Sequence, residues 1–528
     1  MFTDRILCPE VLAKNTSNKL FGEKKKSPMV IFVTTLVNAF VCYFYHMIYG
    51  LGCPDTLSEG VYYYRTADYA TSQARWMIRY INEIFGKNVV ITSLIVLIYC
   101  LMIGISVYII CRITDITAPW SQILICTMMV SFPVVLHHFA YFYMALAYSF
   151  SFLMVTVGTA LIRTRKIPWI ICGILCYLMM LGSYQAYIGA ISALAVVLFI
   201  HDILNGKELK KGVFNFLLSA AGGIAACFLN FPVSNFMMKI HHLSETDRVS
   251  AFSFKSIVDN IGFSLKYSYV WFFSYFDDEV LSRNRLYLVF FVILGVLSVL
   301  TVIKCIKNKQ IIKAILFVIL MLIMPLAMNL LLIVIPENGM RDLLRYQYAL
   351  LYPLMFILFK FLDDSFIAKL AKYPAYLVMI LSFVANVISA NSTEIMYKLS
   401  YDYCEQQFLQ AMERVYDLED YKENETKIIL GGLPSMEVVI ENNPKIFRYA
   451  ESEGGPVFWG NVFGMVSSRE HFFPDFLGVR SGFISSGEYF EVVNSPEYAD
   501  MSVWPAEGCV QMIGDYAVIK YEEEPPKY

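Results

Sequence analysis

The segment VVITSLIVLIYCLMIGISVYIIC (89–111) runs for 23 residues without a charged side chain. A helix needs about 20 mostly apolar residues to cross the hydrocarbon core of a bilayer, so this segment predicts a membrane-spanning helix. The remainder of the chain shares the bias: 57% of its 528 residues are hydrophobic, only 16% are charged, and the mean hydropathy is +0.55. Soluble domains carry about 25% charged residues. We therefore expect a polytopic α-helical membrane protein.

Charge and cysteine content exclude several other classes. The formal net charge is −2, whereas proteins that bind nucleic acids concentrate Lys and Arg against the phosphates, so we expect no nucleic-acid partner. The cysteines form no CxxC pair and no Cys/His cluster with zinc spacing, so no structural metal site is predicted. Cys404 and Cys509 lie in a polar region and could pair. The sequence motifs of soluble nucleotide-binding and hydrolytic enzymes are absent.

Apolar runs of membrane length recur along the chain and predict about eleven transmembrane helices. The first follows three lysines, Lys24–Lys26, and its apolar run is too long for a signal peptide, so we expect an uncleaved anchor. The predicted spans are 29–49, 89–111, 120–137, 140–162, 167–183, 185–204, 213–236, 287–304, 312–334, 343–362 and 374–392.

The distribution of Lys and Arg in the short loops predicts the orientation, because cytoplasmic loops carry the excess of positive charge. Basic clusters such as Arg163/Arg165/Lys166 alternate with loops that hold few cations, which places the N-terminus in the cytoplasm. The outer segments are then loop 50–88, tight turns near His137–Phe139 and Tyr184, loop 237–286 and residues 335–342. We expect a multi-pass protein of the plasma membrane with a cytoplasmic N-terminal segment (1–28), a transmembrane domain (29–396) and an extracytoplasmic region (397–528).

The region after residue 397 differs in kind from the spans. Short apolar runs at 427–430 and 510–521 alternate with Gly, Pro, Asn and Asp, which is typical of strands and turns. Residues 401–421 have apolar side chains at helical spacing, and QMIGDYAVIKY (511–521) predicts a hairpin that turns at Gly514–Asp515. We therefore predict a small extracytoplasmic α/β domain at the C-terminus.

The first outer loop carries both acids and arginines close to the membrane. Asp55 follows the first span behind Gly50, Gly52 and Pro54, and a carboxylate held there is well placed to accept a proton from a hydroxyl group. Residues 71–85 have the pattern of an amphipathic helix that lies in the interface. Ordinary solvated loop charges are the alternative interpretation.

Two further outer turns gather polar and aromatic side chains. His137, His138 and Tyr141 stand in FPVVLHHFAYFYMALAYS (132–149), and Tyr184 and Gln185 stand in SYQAYIG (183–189). These side chains can line a polar pocket of the size of a sugar. The alternative is an aromatic belt at the membrane interface, where Tyr and Trp are enriched.

Cations and acids near the later spans complete the candidate residues. Arg341 lies at the outer end of the tenth predicted span and Arg345 about one turn inside it. An Arg near hydrocarbon depth is costly unless it is paired or faces a polar cavity. Arg binds phosphate with two parallel hydrogen bonds, although pairing with an acid or snorkelling remains open. Three adjacent acids, Asp277, Asp278 and Glu279, could bind a divalent cation, but such runs are more often solvated.

The order of these parts resembles the GtrII-like glucosyltransferase family. The resemblance runs from the acidic turn and the ARW motif (74–76) through the two aromatic turns to the Arg-bearing late span. It continues in the C-terminal region with KIILGG (427–432) and MSVWPAEGCVQMIGDYAVIKY (501–521), which look like the Gram-positive form of the family. One departure is Ala74, where the family usually has Gly.

The resemblance implies a GT-C type membrane glycosyltransferase that takes a sugar from a polyprenyl-phosphate carrier and transfers it, with inversion, to a glycan outside the membrane. The acid of the first loop is then the catalytic base, which is Asp55 here, with Glu59 and Asp68 as substitutes. Cations would stabilise the departing phosphate, and the candidates are Arg75, Arg341 and Arg345. No cofactor is expected, and the partners are the lipid-linked donor, the acceptor glycan and the bilayer.

Two other classes stay open on the residues alone. A polymerase or ligase of glycans would also use Arg and His in outer loops, but it has less reason for an outer domain of 130 residues. A flippase or transporter of lipid-linked sugars would share the aromatic, Arg-bearing cavity, but such proteins typically show internal repeats and broken helices.

Overall fold

Long apolar runs form helices because a helix satisfies its own backbone hydrogen bonds in hydrocarbon. In a computed structural model of the chain, the described residues are 27–59, 64, 67–86, 89–205, 208–244, 258, 261–274, 283–334, 342–363, 365–423, 425–450, 472–480, 482 and 484–524. The helices up to residue 416 are α1 Ser27–Ile48, α2 Pro54–Glu59, α3 Ala67–Ser72, α4 Met77–Gly86, α5 Thr92–Ile113, α6 Pro119–Val130, α7 Val134–Ala140, α8 Ala145–Ile162, α9 Ile167–Ser183, α10 Ile188–Leu204, α11 Leu209–Ile240, α12 Ile261–Ser274, α13 Arg283–Lys307, α14 Ile311–Met328, α15 Leu331–Val334, α16 Leu351–Phe361 and α17 Phe366–Tyr416.

Within the described ranges, nine helical segments are long and apolar enough to cross a membrane, so the chain is a multi-pass membrane protein, as predicted. Two of the eleven predicted spans are not among the nine. The first, α9, has only 17 residues. The second, predicted at 343–362, consists of two short 3-10 helices, Asp342–Leu344 and Tyr346–Leu350, followed by the 11 residues of α16. A total of eleven crossings therefore stays a prediction.

Two local predictions in the first half of the chain are wrong. The turn predicted at His137–Phe139 lies elsewhere, because both histidines are inside α7 and the chain reverses after Ala140, at the 3-10 helix Phe142–Met144. The helix predicted over residues 71–85 is broken into α3 and α4, because Ala74 has a left-handed backbone with φ of +61°. Hydrophobic periodicity does not reveal a single residue with a left-handed backbone.

The contacts between loops define two ends of the helical bundle. We call the site end the end formed by residues 50–59, 140–142, 184–187 and 342–345. The backbone N–H of Cys53 donates to the carbonyl of Ala140 there. At the opposite end, Lys360 Nζ donates to the carbonyl of Asp115 at 2.9 Å, and Lys304 Nζ donates to the carbonyl of Phe361 at 2.8 Å.

The segment that carries Arg345 lies in the interior of the bundle. Every residue from 345 to 359 is buried, although the segment has an irregular 3-10 start. Irregular backbone is tolerated at membrane depth only where protein or a polar cavity surrounds it. The enclosing helices therefore permit both the irregular backbone and a buried arginine.

The last long helix, α17, has 51 residues and extends beyond the bundle into the C-terminal region. The domain boundary predicted at 396/397 falls inside this helix, so it coincides with no break in the chain. The helical prediction over 401–421 is confirmed as far as Tyr416, where α17 ends. Cys404 and Cys509 are both free thiols, so the disulfide that they could form is not present.

The C-terminal region contains a three-stranded sheet in the order β1-β3-β2, with β1 Lys427–Gly431, β2 Val510–Ile513 and β3 Tyr516–Lys520. Strand β1 is parallel to β3, and β2 is antiparallel to β3. The predicted strand and hairpin are confirmed, and Gly514 supplies the positive φ of the turn. The region also contains four short helices: α18 Glu437–Asn442, α19 Pro444–Tyr449, α20 Ser486–Val493 and α21 Pro496–Asp500.

The hydrophobic core of this region includes residues from the first loop. Leu51 and Leu57 are buried in the same cluster as Tyr401, Phe408 and Phe472. Leu51 lies in the turn after α1 and Leu57 lies in α2. Tyr401 and Phe408 lie in α17, and Phe472 lies in the C-terminal region. The loop that carries Asp55 is therefore packed against the C-terminal core.

Candidate functional site

The turn between α1 and α2 requires both of its glycines. Gly50 has φ of +57°, and a Cβ there would overlap the side chain of Thr92. At Gly52 a Cβ would lie 2.5 Å from the carbonyl oxygen of Ala140, which is backbone and cannot easily move. Asp55 is half-buried and stands in the first turn of α2. The Gly-Pro turn predicted from the sequence thus fixes where this carboxylate lies.

Helix α2 is attached to the reversal after α7 by three hydrogen bonds. The N–H of Cys53 donates to the carbonyl of Ala140 at 3.0 Å, and the hydroxyl of Thr56 donates to the same carbonyl at 2.6 Å. The hydroxyl of Thr56 in turn accepts the N–H of Phe142 at 3.3 Å. Asp55 therefore lies beside the chain reversal that follows the two histidines.

His138 connects this reversal to the segment that carries Arg345. Its Nε2 donates to the carbonyl of Leu343 at 3.0 Å, because a carbonyl can only accept. Its Nδ1 then accepts the hydroxyl of Tyr99 at 2.7 Å. The ring is fully buried and stacks on Tyr148 with centroids 4.3 Å apart. Both nitrogens of His138 are thus engaged by the protein, which fixes its tautomer and its position.

Arg75 is brought together with both residues predicted at the 184–185 turn. Its Nε donates to Gln185 Oε1 at 3.3 Å, and its guanidinium lies over the ring of Tyr184 at 5.0 Å from the centroid. The amide of Gln185 donates back to the carbonyls of Gln73 and Ala74 at 3.2 and 3.1 Å. In the described part of the chain, Arg75 has no carboxylate partner.

The loop of Arg75 is anchored by residues that the sequence did not identify as part of the site. The indole N–H of Trp76 donates to Asn230 Oδ1 at 3.1 Å, and any side chain larger than Gly at position 182 would overlap the indole. Ala74, with φ of +61°, is the residue where the family usually has Gly. The glycine that the family usually has at this position could have indicated a positive φ, because Gly adopts positive φ at little cost.

Arg345 lies between the two 3-10 helices, with only 6% of its surface exposed. Its guanidinium stacks over the indole of Trp271 at 5.0 Å. A series of ring contacts leads from Tyr184, which lies against Arg75, to Tyr346, which follows Arg345. The ring centroids of Tyr184 and Tyr148 are 4.7 Å apart, Tyr148 stacks on His138, and the centroids of His138 and Tyr346 are 5.8 Å apart. Arg75, Tyr184, His138 and Arg345 therefore belong to one region at the site end.

The other predicted residues have different positions. Asp68 is exposed and forms an ion pair with Arg79. Glu59 is the last residue of α2. His137 is half-buried, whereas Tyr141 is buried at the reversal. Arg341 and the acids Asp277, Asp278 and Glu279 lie outside the described residues.

Two buried ionisable residues were not predicted from the sequence. His46 and Glu394 are 1% and 0% exposed, and His46 Nε2 lies 3.3 Å from Glu394 Oε2. The available signal was an ionisable residue within or beside an apolar span, which usually marks function. As for metals, the part of the chain that the structure describes contains no group of three or more His, Cys, Asp or Glu residues that could hold an ion.

The fold and the site together define a multi-pass membrane protein with a polar, arginine-bearing region at one end of its helical bundle. A family model described as glucosyl transferase GtrII matches residues 58–358. The chain therefore belongs to the GtrII glucosyltransferase family and is a membrane glucosyltransferase. No curated protein and no solved structure matches the chain. The family match begins three residues after Asp55 and ends before α17.

Proposed function

We propose that this protein transfers glucose, or a similar hexose, from a polyprenyl-phosphate carrier to a cell-surface glycan, with inversion, as a GT-C type enzyme. The observation that carries the proposal is the position of Arg75, which rests on Gln185 and the ring of Tyr184. Since no carboxylate among the described residues neutralises its charge, this guanidinium is available to an anionic ligand. The Asp55 turn lies at the same end of the bundle.

The proposed reaction assigns a role to each charged group. The acceptor hydroxyl attacks the anomeric carbon, Asp55 takes the hydroxyl proton, and the bond from the sugar to the phosphate oxygen breaks. Glu59 and Asp68 are substitutes for the base, and Asp68 forms an ion pair with Arg79. A carboxylate base of this kind contributes about 100- to 10,000-fold to a rate.

The departing polyprenyl phosphate carries the developing charge. Arg75 and Arg345 are the proposed partners of this phosphate, with Arg341 as a third, because preorganised cations stabilise charge best in a site that excludes water. The guanidinium group also fits phosphate geometry with two parallel hydrogen bonds. The ring of Tyr184 lies against the guanidinium of Arg75, and the ring of Trp271 lies against that of Arg345.

The aromatic residues form the proposed wall of the sugar site. Tyr184, His137 and Tyr141 are the proposed contacts for sugar hydroxyls. Gln185 can add only the second lone pair of its Oε1, because Arg75 takes the first and its amide group donates to Gln73 and Ala74. His138 belongs to this wall through its position, because both of its nitrogens are already bonded to the protein. Its part in the proposal is to hold the reversal and the Arg345 segment at a fixed separation.

The proposed orientation places the site end outside the cell, in the plasma membrane, with the N-terminus in the cytoplasm. Basic residues gather at the opposite end of the bundle: Arg163, Arg165, Lys166, Lys211, Lys304, Lys307, Lys309, Lys360 and Lys372. This distribution supports a cytoplasmic location for that end. Residues 397–528 are then extracytoplasmic, on the side of the acceptor glycan.

Donor discrimination tests the proposal. The purified protein in liposomes receives radiolabelled glucose either on polyprenyl phosphate or on a nucleotide, together with acceptor glycan. We expect transfer from the lipid donor only. Transfer from the nucleotide donor, or movement of the lipid donor across the bilayer without transfer, would overturn the proposal. The proposal includes no cofactor, and a rate that falls in EDTA would show that a divalent cation takes part.

A further inference from the structure

Helix α17 contacts the turn that carries Asp55 through a buried carboxylate. Glu394 Oε1 accepts the backbone N–H of Leu51 at 3.1 Å, and its other oxygen faces His46. Burial of a carboxylate is costly unless its oxygens are satisfied. An apolar side chain would fill the same space without that cost, so a purely packing role does not account for Glu394.

A second contact from the same helix holds the next residue of the turn. The hydroxyl of Tyr401 donates to the carbonyl of Gly52 at 3.2 Å. Glu394 and Tyr401 are seven residues apart, about two helical turns, so they project from one face of α17. Lys398, one turn after Glu394, lies over the ring of Tyr49 at 5.6 Å from the centroid. Side chains on this face of α17 thus contact the turn at residues 49, 51 and 52.

The turn is held from its other side by the bundle. The carbonyl of Ala140 accepts hydrogen bonds from Cys53 and Thr56. Leu57, two residues after Asp55, is fully buried in the core of the C-terminal region. Asp55 is therefore placed between two structures: the reversal of the bundle, and α17 with its C-terminal core.

We propose that Glu394 and Tyr401 are positioning residues for Asp55, and that α17 with the C-terminal region is in this way part of the catalytic apparatus. This inference rests on the proposed function, since it takes Asp55 as the base. Neither residue touches the substrates. They act by fixing the backbone three to four residues before Asp55, because a small misplacement of a catalytic group costs a large part of the rate.

The test compares full-length variants in liposomes by kcat and by KM for polyprenyl-phosphate glucose. Tyr401→Phe removes one hydroxyl, and we expect kcat to fall about 2- to 10-fold with KM unchanged, which is the range for one hydrogen bond. Tyr403→Phe is the matched control, because Tyr403 is a half-buried tyrosine of the same helix. We expect it to retain the wild-type kcat.

Glu394 is tested by a pair of variants and a structural readout. Glu394→Ala removes the acceptor of the Leu51 N–H, and we expect a larger loss of kcat and faster hydrogen exchange in the peptide 50–59. Glu394→Gln keeps an acceptor oxygen, so it should lose less on both measures. Glu413→Gln is the control, since Glu413 is exposed on the same helix. If Glu394→Ala does not fold, the kcat values of Glu394→Gln and Tyr401→Phe test the inference, and wild-type values in both would overturn it.

Wild-type kcat in both Tyr401→Phe and Glu394→Ala would overturn the inference, even if exchange in 50–59 is faster. Equal losses in the control variants would also overturn it, because they would show a general effect on α17. Asp55→Asn, measured in parallel, separates the two levels of the proposal. If Asp55→Asn is inactive while the α17 variants are normal, only this inference fails. If Asp55→Asn is fully active, the proposed base fails, and this inference fails with it.

Discussion

Two arginines at the two ends of the bundle have contrasting surroundings. At the opposite end, Arg163 donates to both oxygens of the buried carboxylate of Asp202 at 2.8 Å, and Asn215 donates to one of those oxygens at 3.3 Å. At the site end, Arg75 rests on a neutral amide and an aromatic ring. One positive charge is cancelled inside the protein, and the other is not cancelled by any described residue.

This difference separates structural charge from charge that is available to a ligand. A buried arginine with a matching carboxylate stabilises the native arrangement, because loss of either partner leaves the other charge buried and unpaired. An arginine that is oriented only by neutral groups keeps its full attraction for an anion. The contrast therefore predicts that mutations at the two ends affect different quantities, namely stability at the opposite end and transfer at the site end.

Asp202→Ala tests the structural end and should have the largest effect on stability. Removal of one partner of a buried ion pair costs about 3–5 kcal/mol, measured as the free energy of unfolding by denaturant titration in detergent. Glu208→Ala is the control, because Glu208 pairs with Lys211 in an exposed position. It should cost at most about 1 kcal/mol. Equal effects from both variants would contradict the contrast.

Arg75→Gln tests the site end. The rate of transfer should fall about 100- to 1,000-fold, which is typical for the loss of one group that stabilises developing charge. Stability should change little, since the partners that remain are neutral. Arg79→Gln is the control, because that arginine is already paired with Asp68. A large loss of stability with a normal rate of transfer would assign Arg75 to the structural class instead.

Ala74→Gly sharpens the account of the loop that carries Arg75. Ala74 has φ of +61°, where glycine is not penalised, so the substitution should stabilise the protein by about 1 kcal/mol. Ala70→Gly, in the regular helix α3, should destabilise it by a similar amount. Denaturant titration of both variants measures the pair. Destabilisation by Ala74→Gly would contradict this explanation, because it would show that the left-handed backbone at position 74 is not costly for alanine.

Glu488 provides the smallest effect, at a surface ion pair of the C-terminal region. The pKa of Glu488 is lowered to about 2, chiefly by the hydrogen bond from Lys427 and then by Ser485 and Tyr516. A depressed native pKa stabilises the fold above the ordinary value of 4.5, and that contribution is lost as pH falls through about 2. Glu488→Gln should therefore destabilise the region at pH 7 and not near pH 2. Hydrogen exchange in the peptides of β1 and β3 measures local unfolding, and Glu491→Gln, at an exposed position, is the control.

Local features could be read from the sequence, and contacts between distant residues could not. The Gly50–Pro54 turn and the Gly514 hairpin were predictable because glycine and proline mark their own conformations. The break at Ala74 has no such mark in its own residue type, and the one indication was that the family usually has Gly at this position. The contact between Glu394 and Leu51 joins residues 343 positions apart, and the pairing of Arg163 with Asp202 depends on how α8 and α10 pack. Periodicity identifies helices and does not identify which helices are neighbours.

The rate of glucose transfer by Asp55→Asn tests the central claim most directly. Asn keeps the size of the side chain and cannot accept the proton, so the account predicts a fall in kcat of about 100- to 10,000-fold with donor binding unchanged. Asp402→Asn, at the partly exposed aspartate paired with Lys398 on α17, is the control and should keep the wild-type rate. A wild-type kcat in folded Asp55→Asn protein would contradict the account.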